Sequence, residues 1–299
     1  MRIGYPCINR SIGCRSDKTF RLQSYTEERL IETVENNLAC LFKTLHFNAE
    51  NGLLYFRISS NLIPFASHPT CKLDWATRFK SDLRKIGDFI NKNNFRISMH
   101  PDRTIVLNSP KPDVVERSID GLTYHAKVLD LMKLRSTAKI QIHVGGIYQD
   151  IEQAKEAFTS VYYSLPSSIR KRLCIQNDDR LFSLANCLDI HGKTGIPIVF
   201  DAFRHSIKNR GEPIASALEI AASTWAEKDG VLLVDYSSQK PGSRIGAHAD
   251  TLNEGHFAQF IREVYDVEFD MMLEIKDKET SAMAARDWLK IHKPNLLSL

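Results

Sequence analysis

Lys139-Ile140-Gln141-Ile142-His143-Val144 is a short β-rich run that closes on an imidazole and is followed by Gly145-Gly146. It is the clearest of eight such runs. The others are 2–6 (RIGYP), 53–58 (LLYFRI), 96–100 (RISMH), 173–176 (LCIQ), 196–201 (IPIVFD), 231–236 (VLLVDY) and 269–275 (FDMMLEI). Between them lie longer segments with apolar residues three and four apart, as in 26–45, 74–91, 113–133 and 212–226, the spacing of amphipathic helices. Asp74 and Asp113 stand where N-caps are expected, and Pro213 suits a first helical turn. Strands that alternate with helices imply a parallel sheet, because each parallel return needs a crossover. Eight such units in 299 residues predict a closed (β/α)8 TIM barrel, a single α/β domain over residues 1–299. A doubly wound open sheet is the rival; it usually carries a glycine-rich turn after its first strand, and none is present.

In such a barrel the chemistry sits at the C-terminal ends of the strands. Those ends collect metal-type residues. His68 lies in the loop after the second strand, and His100 and His143 end the third and fourth. Gln176, Asn177, Asp178 and Asp179 end the fifth. Asp201 and Asp235 end the sixth and seventh, His248 lies in the loop that follows, and Glu274 stands near the end of the eighth. Each has an ordinary reading: a strand-end His is often a hydrogen-bonded structural residue, and an Asp after a strand often caps the next helix, as for Asp178 or Asp179. Glu274 resists that reading, since a carboxylate after Met271-Met272-Leu273 needs a partner. Imidazoles and carboxylates together suit zinc, manganese or iron(II), and crowded carboxylates need a cation between them. The expectation is a site for divalent metal, two ions rather than one. His46, His125, His191 and His256 receive no role.

Basic residues fall on the same rim: Arg10, Arg15 and Lys18, Arg103, Arg204, Lys208 and Arg210, Lys240 and Arg244, Lys276 and Lys278. A basic collar around a metal cleft suits a phosphodiester polymer, although charged surfaces are common. The net charge of +4 is compatible with nucleic acid without requiring it. Hydrophobic content of 43% and charged content of 25% are those of a globular protein, and no run is long enough to span a membrane. The N-terminus reads as a strand rather than a signal peptide, so the chain is expected in the cytoplasm. The six cysteines form no C-x-x-C pair. Cys40 and Cys174 read as small core residues, and no disulfide scaffold is expected in a chain that can bury a core without one.

Gly4-Tyr5-Pro6 with Asn9, Ile58-Ser59-Ser60-Asn61 with Pro64 to Pro69, Ser98-Met99-His100-Pro101, His143-Val144-Gly145-Gly146, Asn177-Asp178-Asp179, Tyr236-Ser237-Ser238-Gln239, Ala247-His248-Ala249-Asp250 and Met272-Leu273-Glu274 occur in one order from about residue 2 to about residue 280. Together they resemble the ultraviolet damage endonucleases, a family similar in fold to the endonuclease IV group. The resemblance implies cutting of the DNA backbone immediately 5′ to a photolesion, with divalent metal, commonly manganese. It places ligand roles on His68, His100, His143, Asp201, His248 and Glu274, and puts Tyr5 and Asn9 near the DNA and the metal site.

Three positions depart from the family pattern. Gln176 stands where the pattern has a Glu bridging two metals; it keeps an acceptor oxygen and loses the charge. That implies an inactivated variant or one with weakened metal binding. Arg204, Leu233 and Asp235 stand where the pattern has third-metal ligands, which leaves a two-metal site. Asp102-Arg103-Thr104 stands where a Gln-Tyr pair probes the lesion, so Arg103 and Thr104 inherit that role. On this reading His100, His143 and Gln176 hold one ion, with His68 beside it. Asp201, His248, Glu274 and Gln176 hold the other, and Lys240, Arg244 and Lys276 clamp phosphate. Two Mn2+ ions are expected, with Zn2+, Mg2+ or Co2+ as alternatives. The partner is double-stranded DNA bearing ultraviolet lesions, met by a monomer at the nucleoid. The rivals are an abasic-site endonuclease of the same barrel class, a metal-dependent sugar isomerase and a non-catalytic DNA-binding module.

Overall fold

The structure is a computed structural model and describes residues 1–102, 104–264 and 266–297. Eight parallel strands close in chain order: β1 (Ile3–Pro6), β2 (Tyr55–Ile58), β3 (Arg96–Met99), β4 (Lys139–His143), β5 (Leu173–Gln176), β6 (Ile198–Asp201), β7 (Leu232–Tyr236) and β8 (Phe269–Leu273). The expected TIM barrel is present, and every strand falls within the run expected for it. The crossovers are mainly the helices Glu27–Glu50, Lys80–Lys92, Pro112–Leu131, Ile151–Ser164, Leu184–Thr194, Ile214–Ser223 and Glu254–Val264, and the helix Glu279–His292 follows β8. Among the described residues no helix is long and apolar enough to cross a membrane.

Successive residues of a strand face opposite sides, so each strand sends one parity into the lumen and the other out to the helices. Phe56, Ile140, Ile142, Ile175, Phe200 and Val234 belong to the large core between strands and helices. Tyr55, Cys174, Val199, Leu233 and Met272 form a separate small cluster. One step of two toward the C-terminal ends from Tyr55, Cys174, Val199 and Leu233 brings Arg57, Gln176, Asp201 and Asp235. The same parity rule that fills the lumen with apolar groups therefore stacks polar groups above them.

Gly4 is the tight point of closure: a Cβ there would lie 1.7 Å from the Tyr55 carbonyl oxygen on β2. Asp74 caps its helix as expected, accepting from the Thr77 N–H at 3.1 Å. Asp113 does not. The helix begins at Pro112 with Lys111 as N-cap, and Asp113 instead pairs with Arg117 one turn on. Pro213 is the residue just before its helix.

The cysteines depart from expectation. Cys14 is joined to Cys40 in a disulfide, with Cα atoms 5.9 Å apart. Cys40 is buried on the helix Glu27–Glu50, as its apolar surroundings implied, but the loop after β1 folds across that helix and delivers Cys14 to it. The link ties down a long loop. The size of the core has no bearing on that. Cys7, Cys71, Cys174 and Cys187 are free thiols.

Candidate active site

At the C-terminal mouth of the barrel lies a cleft of about 520 Å³. His100, His143, Gln176, Asp201, His248 and Glu274 line it, together with Arg57, Arg204, Lys276 and Lys278. A larger hollow of about 680 Å³ opens at the opposite mouth; its walls hold no histidine and a single carboxylate, Glu268. The chemistry-bearing residues thus gather at one end.

The floor of the cleft is a closed polar network. Arg57, buried on β2, ion-pairs with Asp235 at 2.6 Å and also with Glu274, and donates to the Gln141 side-chain oxygen at 3.0 Å. The Gln141 amide donates to Gln176 Oε1 at 2.7 Å and to Asp235. The Gln176 amide donates to Asp201 at 2.7 Å and to Asp235 at 3.2 Å. Asp201, Asp235 and Glu274 bring carboxylate oxygens within 4.8 Å of one another, the one such group of three ligand-type residues among the described residues.

Three carboxylates cannot all ionise so close together. Burial and the charges of Glu274 and Asp235 push Asp201 well above the usual carboxylate range. Burial likewise lifts Asp235, to about 7, against the pull of Arg57. Burial would raise Glu274 too, but Arg57, His248 and His100 outweigh it and hold that carboxyl at about 2. Of the three, Glu274 holds its charge most readily, and a cation in the cleft would favour the charged forms of Asp201 and Asp235.

Two of the imidazoles are anchored through Nδ1. His248 Nδ1 lies 2.8 Å from the Glu274 carbonyl oxygen, and His100 Nδ1 lies 2.9 Å from that of Pro101. An Nδ1–H donated to a carbonyl leaves the lone pair on Nε2, the tautomer of many metal-binding histidines. Burial lowers the pKa of both rings, His100 to about 3. The His143 ring is 5.2 Å from that of His100. The donor set therefore fits a divalent ion. Arg204 complicates one side: it donates to His248 Nε2 at 2.9 Å and to the Gly246 carbonyl at 3.0 Å, and pairs with Asp179 at 3.2 Å. Asp201 also caps the short helix Ala202–Ile207, accepting from the Arg204 N–H. Asp178 caps a turn through the N–H groups of Arg180, Leu181 and Phe182.

Other expected positions lie elsewhere. His68 is exposed in its loop, accepts from the Thr70 N–H, and is not part of the cleft wall. Tyr5 is fully buried; its hydroxyl donates to Asn48 at 2.5 Å and accepts from Asn9 at 2.8 Å. Asn9, also buried, holds the N–H groups of Ser11 and Ile12. Both shape the first loop from beneath and present no surface to DNA, because a tyrosine on β1 packs inward under that loop. Arg10 stays exposed. Lys240 and Lys276 converge on Asp250, at 2.6 and 2.8 Å, so their charge is offset in place. Arg244 is exposed and outside the cleft wall. Thr104 is exposed and bonds to Asp102, and Arg103 lies outside the described residues.

Arg57 and Gln141 were not singled out from the sequence. Arg57 carried the same signal as Glu274, a charge inside an apolar strand, and that signal was legible.

The chain is 36% identical over 293 residues to a UV DNA damage endonuclease of Clostridium perfringens, covering 97% of this chain and 71% of that one. The solved structure of SacUVDE superposes with a TM-score of 0.94 at 46% identity, covering 97% and 98% of the two chains. A D-psicose 3-epimerase of Clostridium cellulolyticum H10 superposes at 0.54 with 12% identity, over 84% and 92%, a likeness of fold alone. The family described as UV-endonuclease UvdE matches residues 1–293, and the chain belongs to it.

Proposed function

We propose that this chain is a metal-dependent endonuclease that cuts duplex DNA immediately 5′ to ultraviolet photolesions, leaving a 3′-hydroxyl and a 5′-phosphate. The observation that carries the reading is the convergence of Asp201, Asp235 and Glu274 with His100, His143 and His248 in one cleft of a chain whose relatives are UV DNA damage endonucleases. Two Mn2+ ions are the proposed cofactors, held by His100, His143 and Gln176 on one side and by Asp201, His248, Glu274 and Gln176 on the other. Metal bound there would polarise the phosphate and supply hydroxide near neutral pH.

The chain's own residues prepare the site. Arg57 shares its single positive charge between Glu274 and Asp235 before any metal arrives. Gln141 and Gln176 separate Asp235 from Asp201 with amide donors. Gln176 brings no charge of its own, so in this reading metal binding is weaker than a Glu at 176 would make it, down to inactivity at the limit. Damaged base pairs cost less to unstack, which allows one cleft to accept cyclobutane dimers, 6-4 photoproducts and abasic sites. The protein is proposed to act as a monomer on nucleoid DNA in the cytoplasm.

The sugar isomerase reading shares the barrel, but neither the basic wall of the cleft nor the relatives favour it. Incision of duplexes bearing one photoproduct, one abasic site or no lesion, with and without a chelator, tests the proposal. A chelator-sensitive nick at the photoproduct exceeding that at the abasic site is expected. A preference for the abasic site would favour an abasic-site endonuclease, and no nick in any duplex by this chain or by its Gln176→Glu form would remove the enzyme.

A further inference from the structure

Lys278 follows β8 and precedes the helix Glu279–His292, with φ of 60° and ψ of −114°. That is the first central position of a type II′ turn, which glycine normally takes. A lysine there is strained, and strained residues persist where the structure on both sides over-determines them. Here the next residue, Glu279, is fully buried and accepts from the Arg10 backbone N–H at 2.9 Å and the Ser11 hydroxyl at 2.6 Å, tying the turn to the loop after β1. On the other side, the Asp277 N–H donates to the Asp250 carbonyl oxygen at 3.1 Å. Cys7, at φ 72°, is a second non-glycine residue in left-handed conformation on the same cleft wall.

The strained backbone places the Lys278 side chain in the cleft wall beside Glu274 and Arg57. Among the described residues no carboxylate ion-pairs with it, whereas its neighbour Lys276 is bound to Asp250. Burial lowers its pKa while Cys7 and Glu274 oppose the shift. A half-buried amine without an ion-pair partner, facing a cleft, is suited to an anionic oxygen.

We propose that Lys278 is a catalytic residue, its ammonium donating to a non-bridging oxygen of the phosphate that is cut. This rests on the endonuclease reading. The oxygen of water bonds to phosphorus, the bond from phosphorus to the 3′ oxygen breaks, and a water-derived proton caps that oxygen. Lys278 transfers no proton and holds the charge that builds on the phosphoryl oxygens.

The test compares the full-length chain with its Lys278→Met, Lys278→Gly and Lys290→Met forms. Lys290 is exposed on the same helix. Binding to a photoproduct duplex is measured against salt, single-turnover nicking in Mn2+ is timed, and melting temperature is recorded. Loss of one phosphate contact lowers the salt slope by about 1. The expected result is that slope change in both Lys278 forms, nicking slower by about 100-fold or more, and a Lys278→Gly protein that melts no lower than wild type because glycine relieves the turn. Lys290→Met should match wild type. An unchanged slope and rate in Lys278→Met overturns the proposal. So does a slower rate with an unchanged slope and a lower melting temperature, which marks a structural role. A chain that binds duplex and never nicks, either as wild type or in its Gln176→Glu form, has a different signature and overturns the endonuclease reading itself.

Discussion

Asp235 shows what a barrel lumen does to a carboxylate. Both oxygens are engaged, one by Arg57 and the other by the amides of Gln141 and Gln176, yet burial lifts it to about 7. A folded-state value above the unfolded one means that the folded protein holds the extra proton between about pH 4 and 7. Stability from this group is therefore lost as pH rises through that window. In Asp235→Asn the loss disappears. Without metal, the unfolding free energy of the variant relative to wild type should gain roughly 1–4 kcal/mol from pH 4 to pH 7, read by denaturant titration at each pH. A difference that stays flat, or runs the other way, would place the proton elsewhere. Glu274 was legible in the sequence because its strand is otherwise apolar. Gln141 was not, since an amide in a strand carries no such signal, and its role comes only from facing Arg57, Gln176 and Asp235 across the lumen. The lysines divide for a similar reason: Lys276 and Lys278 look alike in sequence, and the position of Asp250 and the turn at Lys278 separate them.

Strands were easier to read than loops. Each strand satisfies its backbone through neighbours in a fixed register, and its β-rich composition marks it. Gly4 faces Tyr55 across the first seam, and no side chain fits between them. Gly4→Ala should break the β1–β2 pairing, at a cost of order 3–5 kcal/mol, visible as a lowered melting temperature or failure to accumulate as soluble protein. A melting temperature equal to wild type would show that the seam can open without penalty. Loops take their course from contacts distant in sequence. The loop after β1 is held by Glu279, by Asn37 through Lys18, and by the Cys14–Cys40 link. None of these is implied by local composition, which is why Tyr5 and Asn9 were assigned to DNA and are found beneath the loop. His68 was likewise placed by its motif, while its loop holds it away from the cleft wall.

At the scale of the whole molecule, closure in order from β1 to β8 brings together residues as far apart as Arg57 and Glu274, 217 positions in sequence. That convergence is what the strand-end pattern anticipated, because a barrel has one catalytic mouth. The number of metal ions was less legible. It depends on whether Arg204 keeps His248 Nε2 and on how much charge Gln176 forgoes. In the proposed function, cutting beside ultraviolet damage depends on metal held at this mouth. The most direct measurement is nicking, in Mn2+, of a labelled duplex with one defined photoproduct, by this chain and by its Gln176→Glu form, with the undamaged duplex as control. The endonuclease reading predicts one nick immediately 5′ to the lesion, at least about tenfold faster with Glu at 176, and none in the control. Equal rates would contradict the bridging role of position 176, and no nick from either form would contradict the endonuclease.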